Sequence, residues 1–147
     1  MNKLETNKVY MCITSPPYWG LRDYGVNTQL GLEKTPEQFI DKLCDVFDEV
    51  KRVLKPNGSC WVNLGDSYHR GTRDSVPKQK GIKEVGYKYE FNHKKKYGDY
   101  YRPKSLIQIP SRFSIEMTNR GWILRNEIIW HKPSCLPASV KDRFTVD

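Results

Sequence analysis

Residues 9–20, with the sequence VYMCITSPPYWG, decide the fold of this 147-residue chain. Residues 9–13 form a short, apolar, partly β-branched run, which favours a buried strand. The run stops before Pro16 and Pro17, because proline lacks the N–H that a central strand must donate. The stretch therefore predicts a buried strand that delivers a stiff loop.

An amphipathic helix is predicted after this loop. Thr35 is a typical N-cap residue, Pro36 suits the first helical position, and Gln38 completes the residue types of a capping box. Apolar side chains then recur at steps of three or four as far as Leu54, which predicts about five turns. The helix is expected to end at the turn KPNG, residues 55–58, and a second strand to follow over residues 59–64.

A strand, a helix and a second strand make a βαβ unit, with a right-handed crossover and parallel strands. The carboxyl ends of both strands then share one edge, where open α/β sheets bind their ligands. Residues 15–18 and 65–68 would lie at that edge. Further along, the sequence predicts a second helix that opens at Ile109 and ends at Gly121. Residues 122–130 are predicted to form a third strand, or a kinked pair of strands.

The positive charge of the chain is concentrated in one segment. The formal net charge is +8, and residues 70–104 alone carry eleven Lys or Arg against four Asp or Glu. This segment lacks apolar periodicity and is rich in Lys, Gly and Tyr, which is typical of a flexible insertion. Basic and aromatic side chains together suit contacts with phosphates and bases, and a solvated loop is the alternative.

The cysteines and the N-terminus exclude several classes of protein. The four cysteines are widely spaced, without a zinc or disulfide pattern, so we expect reduced thiols, mostly in the core, and no metal site. The first eight residues are too polar for a signal peptide, and no apolar run approaches the roughly 20 residues that span a bilayer. A cytoplasmic protein without a membrane partner is expected.

The diproline loop has the chemistry of an acceptor-rich site. Two prolines fix both φ angles and leave rigid carbonyl oxygens pointing outward. The Ser15 hydroxyl and the Pro16 carbonyl are suitably spaced to accept the two hydrogens of an amino group on an aromatic ring, which draws its lone pair out of conjugation. Tyr18 offers a ring on which such a group can stack. The alternative is a rigid turn with core aromatics.

At this point the chain resembles the amino-group-modifying DNA methyltransferases of the beta class, in which the catalytic loop precedes the cofactor-glycine motif. TSPPYWG at residues 14–20 matches their catalytic signature. The residue before the two prolines of this signature is Ser in most cytosine-N4 enzymes and Asp in most adenine-N6 enzymes. Here that position is Ser15. The segments LKPNG at 54–58, NLGDSY at 63–68 and RNEIIWHKP at 125–133 are similar to family segments, in family order.

The resemblance implies a fold, a reaction and a set of residues. The fold is α/β, a partial doubly wound and mostly parallel sheet of the S-adenosylmethionine-dependent methyltransferase type. The reaction is methyl transfer from S-adenosylmethionine to the N4 amine of a flipped cytosine in double-stranded DNA, with adenine N6 as the alternative. The expected catalytic residues are Ser15, Pro16, Pro17 and Tyr18. Thr14, Ser15 and Asp66 are the expected cofactor contacts, although Asp66 could equally form a strand-terminal turn. The expected DNA contacts are Lys94, Lys95, Lys96, His131, Lys132, Lys141 and Arg143.

One departure from the family pattern is important. These enzymes hold their cofactor with a glycine-rich F-x-G-x-G turn, and no G-x-G occurs in this sequence. Glycine is required there because the backbone approaches the cofactor closely. We therefore expect residues 1–69 to form the catalytic-loop unit, 70–104 an insertion, and 105–147 a helix-strand continuation that leads into a basic, DNA-facing segment. We expect the chain to be inactive without a missing C-terminal portion, supplied in cis or in trans. The alternative is a catalytically silent DNA-binding fragment.

Overall fold

A computed structural model of the chain describes residues 4–26, 28–69, 101–102 and 104–133. Within them, the elements are β1 (Val9–Thr14), α1 (Pro36–Val53), β2 (Leu54–Val62) and α2 (Ile109–Asn119). The two strands pair in parallel, which confirms the predicted βαβ unit and the α/β class. No helix in these ranges is long and apolar enough to cross a membrane.

Helix α1 begins where the sequence predicts and ends earlier. The Thr35 hydroxyl accepts a hydrogen bond from the Gln38 N–H at 3.2 Å, so the predicted N-cap is confirmed. One stripe of the helix is buried and forms the centre of the core. The members of the stripe are Pro36, Phe39, Ile40, Leu43, Cys44, Phe47, Val50 and Val53. The helix ends at Val53 because Leu54 already has extended backbone angles.

Strand β2 starts earlier than predicted. Instead of a separate turn, residues 55–58 form an irregular first half of the strand, between the Val9–Leu54 and Met11–Ser59 pairs. A Cβ on Gly58 would lie 3.0 Å from the Tyr10 carbonyl oxygen, so glycine lets the two backbones approach at this bulge. Pro56 is tolerated in the strand because the ladder is interrupted there.

Helix α2 has its predicted bounds, and Gly121 follows it with a φ of +80°. The helix packs on α1 through an edge-to-face contact between Phe47 and Phe113, whose ring centres are 5.2 Å apart. Arg120 forms ion pairs with three aspartates of α1 and with Glu116. Lys51 of α1 donates hydrogen bonds to the Arg120 and Gly121 carbonyl oxygens at 2.8 and 2.9 Å. The two helices are therefore joined by both apolar and charged contacts.

The region after α2 differs from the prediction. Trp122 packs against the core, but residues 123–130 belong to no strand in the described part of the chain. Five apolar side chains of this segment are exposed: Ile123, Leu124, Ile128, Ile129 and Trp130. The predicted third strand was wrong for this structure because a strand needs a neighbour with which to exchange hydrogen bonds. The proposed boundaries at residues 69/70 and 104/105 remain predictions, because residues 70–100 and 134–147 lie outside the described ranges.

Candidate active site at the carboxyl edge of the sheet

The diproline loop and the loop after β2 leave the sheet side by side. The Asn63 N–H donates to the Thr14 carbonyl oxygen at 2.9 Å, which extends the parallel pairing one step past the end of β2. Thr14 is therefore part of the sheet, and Ser15 is the first residue beyond it. Ser15 is exposed, while the two prolines and Tyr18 are half-buried. The shared edge predicted from the βαβ topology is present.

The Tyr18 ring lies against the backbone of Gly65. A Cβ placed on Gly65 would be 2.8 Å from both Cδ2 and Cε2 of Tyr18, a distance that real side chains do not tolerate. The Tyr18 hydroxyl is 3.4 Å from the Ser15 Oγ, which is a long hydrogen bond. Glycine at position 65 thus lets the Tyr18 ring approach the backbone at this edge, with the Tyr18 hydroxyl beside Ser15.

The far end of the loop is held by residues that precede α1. The Gly20 N–H donates to the Gly31 carbonyl oxygen at 2.8 Å, and the Trp19 indole N–H donates to the Glu33 carbonyl oxygen at 3.0 Å. Trp19 is buried in the core, as expected if this residue packs the loop. Gly31 has a φ of +99°, and a Cβ there would lie 2.9 Å from the Tyr18 carbonyl oxygen. Only glycine fits this crossing without strain.

A buried carboxylate organises this crossing. The side chain of Glu33 is 2% exposed; its Oε2 accepts the Gly31 N–H at 2.8 Å, and its Oε1 is 3.5 Å from the Lys42 ammonium. Glu33 thus fixes the segment around Gly31, to which Trp19 and Gly20 at the end of the diproline loop are hydrogen-bonded. Glu33 was not predicted from the sequence, because a single Glu two residues after a glycine carries no periodic or motif signal.

Asp66 connects the edge to helix α2. Its Oδ1 accepts hydrogen bonds from the Ser67 N–H at 2.8 Å and from the Ile109 N–H at 3.0 Å. Ile109 is the first residue of α2, whose N-cap residue Gln108 makes no side-chain capping bond. Asp66 therefore caps α2 from a distance, and its expected contact with the cofactor stays a prediction.

The two ends of the basic insertion meet beside the same edge. The His69 N–H donates to Ser105 and the Lys104 N–H donates to His69, at 2.8 and 2.7 Å. An antiparallel bridge joins Tyr68 and Leu106, and the paired residues 67–69 and 105–107 are here called the neck. Because Gly65 packs on Tyr18 and the neck begins two residues later at Ser67, the described residues that flank the insertion lie next to the edge that carries the diproline loop.

The described part of the structure does not place any of the predicted DNA-contacting residues at this edge. His131 and Lys132 are exposed near the end of the described chain. Lys94, Lys95, Lys96, Lys141 and Arg143 lie outside the described ranges. For metals, the described ranges contain no cluster of three or more His, Cys, Asp or Glu side chains that could hold an ion.

The described cysteines are free thiols. Burial raises the pKa of Cys44 to about 12. Burial and the neighbouring Cys12 raise the pKa of Cys60 to about 12 as well, because Cys12 and Cys60 are partners across β1 and β2. Both raised thiols are therefore protonated at neutral pH, which makes them poor nucleophiles and poor metal ligands.

The described residues at this edge do not form a cofactor site of the kind that the resemblance implies. The Thr14 carbonyl oxygen is used by the Asn63 N–H, and one carboxylate oxygen of Asp66 is used by two backbone donors. No close-approach glycine turn of the G-x-G type is present in the sequence. These residues do not by themselves provide a cradle for the methionine part of S-adenosylmethionine.

Comparison with known proteins identifies the class. A DNA methylase family model matches residues 9–147, so the chain belongs to the DNA methylase family. The resemblance read from the TSPPYWG segment is thereby confirmed. DNA methyltransferases generally use S-adenosylmethionine as the methyl donor. Among solved structures, none gives a significant match.

Particular relatives are bacterial enzymes. The chain is 41% identical to the Type II methyltransferase M.Cfr9I of Citrobacter freundii, over 99% of this chain and 47% of that protein. It is 42% identical to M.XycI of Xanthomonas campestris pv. cyanopsidis, over 97% of this chain and 46% of that protein. It is also 42% identical to M.SmaI of Serratia marcescens, over 95% and 47%. The chain spans about half the length of these relatives.

Proposed function

We propose that this chain is the amine-binding half of a DNA methyltransferase that transfers a methyl group from S-adenosylmethionine to the N4 amine of cytosine. The observation that carries the proposal is the close approach of the Tyr18 ring to Gly65, with the Tyr18 hydroxyl 3.4 Å from the Ser15 Oγ at the carboxyl edge of a parallel sheet. Ser15 follows the end of β1 directly, and Tyr18 packs on Gly65, three residues after the end of β2, so the sheet helps to fix the position of both groups.

In this proposal, the target amine takes the place of a weak internal contact. A hydrogen bond of 3.4 Å between two hydroxyls is easily exchanged for a shorter one to a ligand. The Ser15 Oγ and the Pro16 carbonyl oxygen accept the two amine hydrogens, which leaves the nitrogen lone pair free to act as a nucleophile. Tyr18 stacks on the base, which must leave the duplex to reach this edge.

The Ser15 side chain favours cytosine N4 over adenine N6 as the target. In the resemblance, serine at this position belongs to most cytosine-N4 enzymes, whereas aspartate belongs to most adenine-N6 enzymes. Serine is neutral and presents one oxygen with two lone pairs, whereas a carboxylate adds a full negative charge to the site. The proposal therefore assigns cytosine as the base.

DNA contacts are proposed for both basic segments of the chain. The neck formed by residues 67–69 and 105–107 supports this for the insertion, because it roots the insertion beside the target site. Lys94, Lys95 and Lys96 would then reach the phosphates that flank the flipped base, and His131, Lys132, Lys141 and Arg143 would position the duplex without reading its sequence.

Cofactor binding is proposed to need a second half of the protein. The relatives are about twice as long as the region that they share with this chain. The family resemblance implies that the cofactor-glycine motif lies after the motifs found here. Joined to that half, the chain would form the doubly wound parallel sheet of the family. A role in restriction-modification is proposed because the relatives are named Type II methyltransferases.

The test is to identify the methylated nucleoside. The gene is expressed with its flanking coding sequence, DNA is isolated and digested, and the nucleosides are measured by mass spectrometry. We expect N4-methylcytosine. N6-methyladenine would overturn the assignment of the base, and the absence of any methylated nucleoside would favour a silent DNA-binding fragment. The 147-residue chain alone is expected to give no methylation, which serves as the control.

A further inference from the structure

Tyr18 is held between two glycines. Its ring lies against Gly65, where a Cβ would be 2.8 Å from two ring carbons, and its carbonyl oxygen lies against Gly31, where a Cβ would be 2.9 Å away. The first contact comes from the loop after β2. The second comes from residues 31–33, here called the support segment, which precede α1. The position of the Tyr18 side chain therefore depends on both contacts.

The support segment also holds the neighbours of Tyr18 in the diproline loop. A Cβ on Gly31 would lie 3.6 Å from the Pro17 Cβ, and the Gly31 carbonyl oxygen accepts the Gly20 N–H at 2.8 Å. Trp19 donates its indole N–H to the Glu33 carbonyl oxygen at 3.0 Å. Four successive residues of the loop are thus in contact with this one segment.

The support segment takes its own position from the Glu33 carboxylate. The Glu33 side chain is 2% exposed, its Oε2 accepts the Gly31 N–H at 2.8 Å, and its Oε1 lies 3.5 Å from the Lys42 ammonium of α1. Burial of a carboxylate is costly and is tolerated where hydrogen bonds and ion pairs compensate it. Here the compensating hydrogen bond fixes a residue whose backbone contacts both Gly20 and Tyr18.

We infer that Glu33 is a positioning residue for methyl transfer, which sets the place of Tyr18 and the diproline loop relative to the target amine. The inference rests on the proposed function, because it adds a residue to the amine site proposed there. The Glu33 carboxylate is buried and bonded to the backbone of the support segment, so it does not reach the reacting atoms itself. It acts through Gly31 instead.

The reaction is sensitive to small displacements of this site. Methyl transfer needs the amine nitrogen in line with the methyl group that it attacks, and a misplacement of about 1 Å can lower the rate about 100-fold. Affinity for DNA, by contrast, comes mainly from phosphate contacts of basic side chains. Loss of the Glu33 carboxylate should therefore slow the methyl-transfer step and leave the affinity for DNA almost unchanged.

A purely structural role for Glu33 predicts a different pattern. If the carboxylate only stabilised the fold, a destabilising change elsewhere in the chain would lower the rate equally. Arg120→Gln provides this comparison, because the ion pairs that it removes join α1 and α2 rather than the support segment. Glu33→Gln provides a second comparison, because an amide oxygen can still accept the Gly31 N–H.

The first test uses the complete enzyme, expressed from the gene with its flanking coding sequence. Single-turnover methylation of DNA and the dissociation constant for the same DNA are measured for the three variants. We expect Glu33→Ala to lower the single-turnover rate about 100-fold and to change the dissociation constant by less than about 3-fold. Glu33→Gln should stay within about 10-fold of the unmodified rate, and Arg120→Gln within about 3-fold.

Hydrogen exchange gives a second readout that does not depend on methylation. In the 147-residue chain, Glu33→Ala should speed exchange of the Gly20 and Gly31 amides relative to the amides of α1. The expected increase is about 10- to 100-fold, because a hydrogen bond to a charged acceptor is lost. Arg120→Gln should not raise this ratio. Protection that persists in α1 shows that each variant remains folded.

The outcomes separate this inference from the proposed function. A lower rate at unchanged DNA affinity supports it, provided that Arg120→Gln lacks the effect and Glu33→Gln partly restores the rate. The inference is overturned if Glu33→Ala keeps the unmodified rate, if Arg120→Gln is equally slow, or if DNA affinity falls by the same factor as the rate. An enzyme that methylates no DNA contradicts the proposed function alone. Exchange at Gly20 and Gly31 then decides whether Glu33 positions the loop, and an increase no larger than that in α1 overturns it.

Discussion

Replacing Glu33 with alanine should loosen the diproline loop and destabilise the fold. The Glu33 side chain is 2% exposed, and its carboxylate accepts the Gly31 N–H at 2.8 Å. A hydrogen bond to a charged acceptor contributes about 1.5 to 3 kcal/mol, and its loss leaves the N–H of the buried Gly31 without this partner. The ion pair with Lys42 adds little, because the Lys42 side chain is 62% exposed.

The expected loss is therefore about 2 to 3 kcal/mol in the free energy of unfolding. Urea unfolding of the chain, followed by tryptophan fluorescence and circular dichroism, measures it. Glu33→Gln keeps an acceptor for Gly31 and should lose about half as much. Glu49→Ala is the matched control: Glu49 pairs with Arg52, its side chain is 46% exposed, and its loss should cost less than about 1 kcal/mol.

The reasoning would be refuted if Glu33→Ala were no more destabilising than Glu49→Ala. It would also be refuted if Glu33→Gln were as damaging as Glu33→Ala, because the acceptor to Gly31 would then not be the source of the stability. An unchanged dependence of the free energy on urea concentration would show that the variants unfold by the same transition.

Three other predictions concern separate parts of the molecule. Gly65→Ala should push the Tyr18 ring from the edge, because the new Cβ would lie 2.8 Å from two ring carbons. We expect kcat of the complete enzyme to fall about 100-fold, and a change in KM alone would contradict this expectation. Arg120→Gln should lower the free energy of unfolding at pH 7 by about 1 to 2 kcal/mol, because it removes a network joining α1 and α2. Hydrogen bonds from Arg120 and Asn119 hold the pKa of Glu116 below its usual 4.5. The stability that this carboxylate contributes is present above pH 4.5 and is lost as the pH falls through the lowered pKa. The difference in unfolding free energy between Arg120→Gln and the unmodified chain should therefore narrow in acid. In the native chain, Cys44 and Cys60 should react with iodoacetamide at pH 8 about 1,000-fold more slowly than in urea, because a pKa raised from 9.0 to about 12 lowers the thiolate fraction by that factor. Equal alkylation rates in the two conditions, measured by mass spectrometry, would contradict the burial of these thiols.

The βαβ unit was predictable because its signals are local and strong. A strand that ends in two prolines, a capped amphipathic helix and a second apolar run leave few other topologies for residues 9–64. Helix α2 was predictable for the same reason, since Pro110 and Gly121 mark its two ends. The end of α1 was misplaced because the residues KPNG, which usually form a turn, here form a bulged part of β2.

The third strand could not be predicted reliably because its formation depends on a neighbour. Residues 122–130 have strand-like composition, but pairing is a property of two segments, and these residues have none in the described part of the chain. Local composition reports what a segment can do and not whether its partner is present.

The motif residues of the candidate site could be predicted from the sequence, whereas the residues that hold them in place could not. Ser15 and Tyr18 were found because they belong to a motif at a strand end. Glu33, and the capping of α2 by Asp66, depend on contacts between residues far apart in the chain, which no spacing rule reports. Gly65 was found as a motif residue, but its close approach to Tyr18 appears only in three dimensions.

The most direct test of the amine-binding edge is the activity of the complete enzyme after Pro16 and Tyr18 are both replaced with alanine. Single-turnover methylation of DNA is measured together with DNA affinity. We predict that methylation falls by at least about 1,000-fold, because the fixed carbonyl and the stacking ring are both lost, while DNA affinity changes little. Methylation at the unmodified rate in this double variant would contradict the assignment of the reaction to this edge.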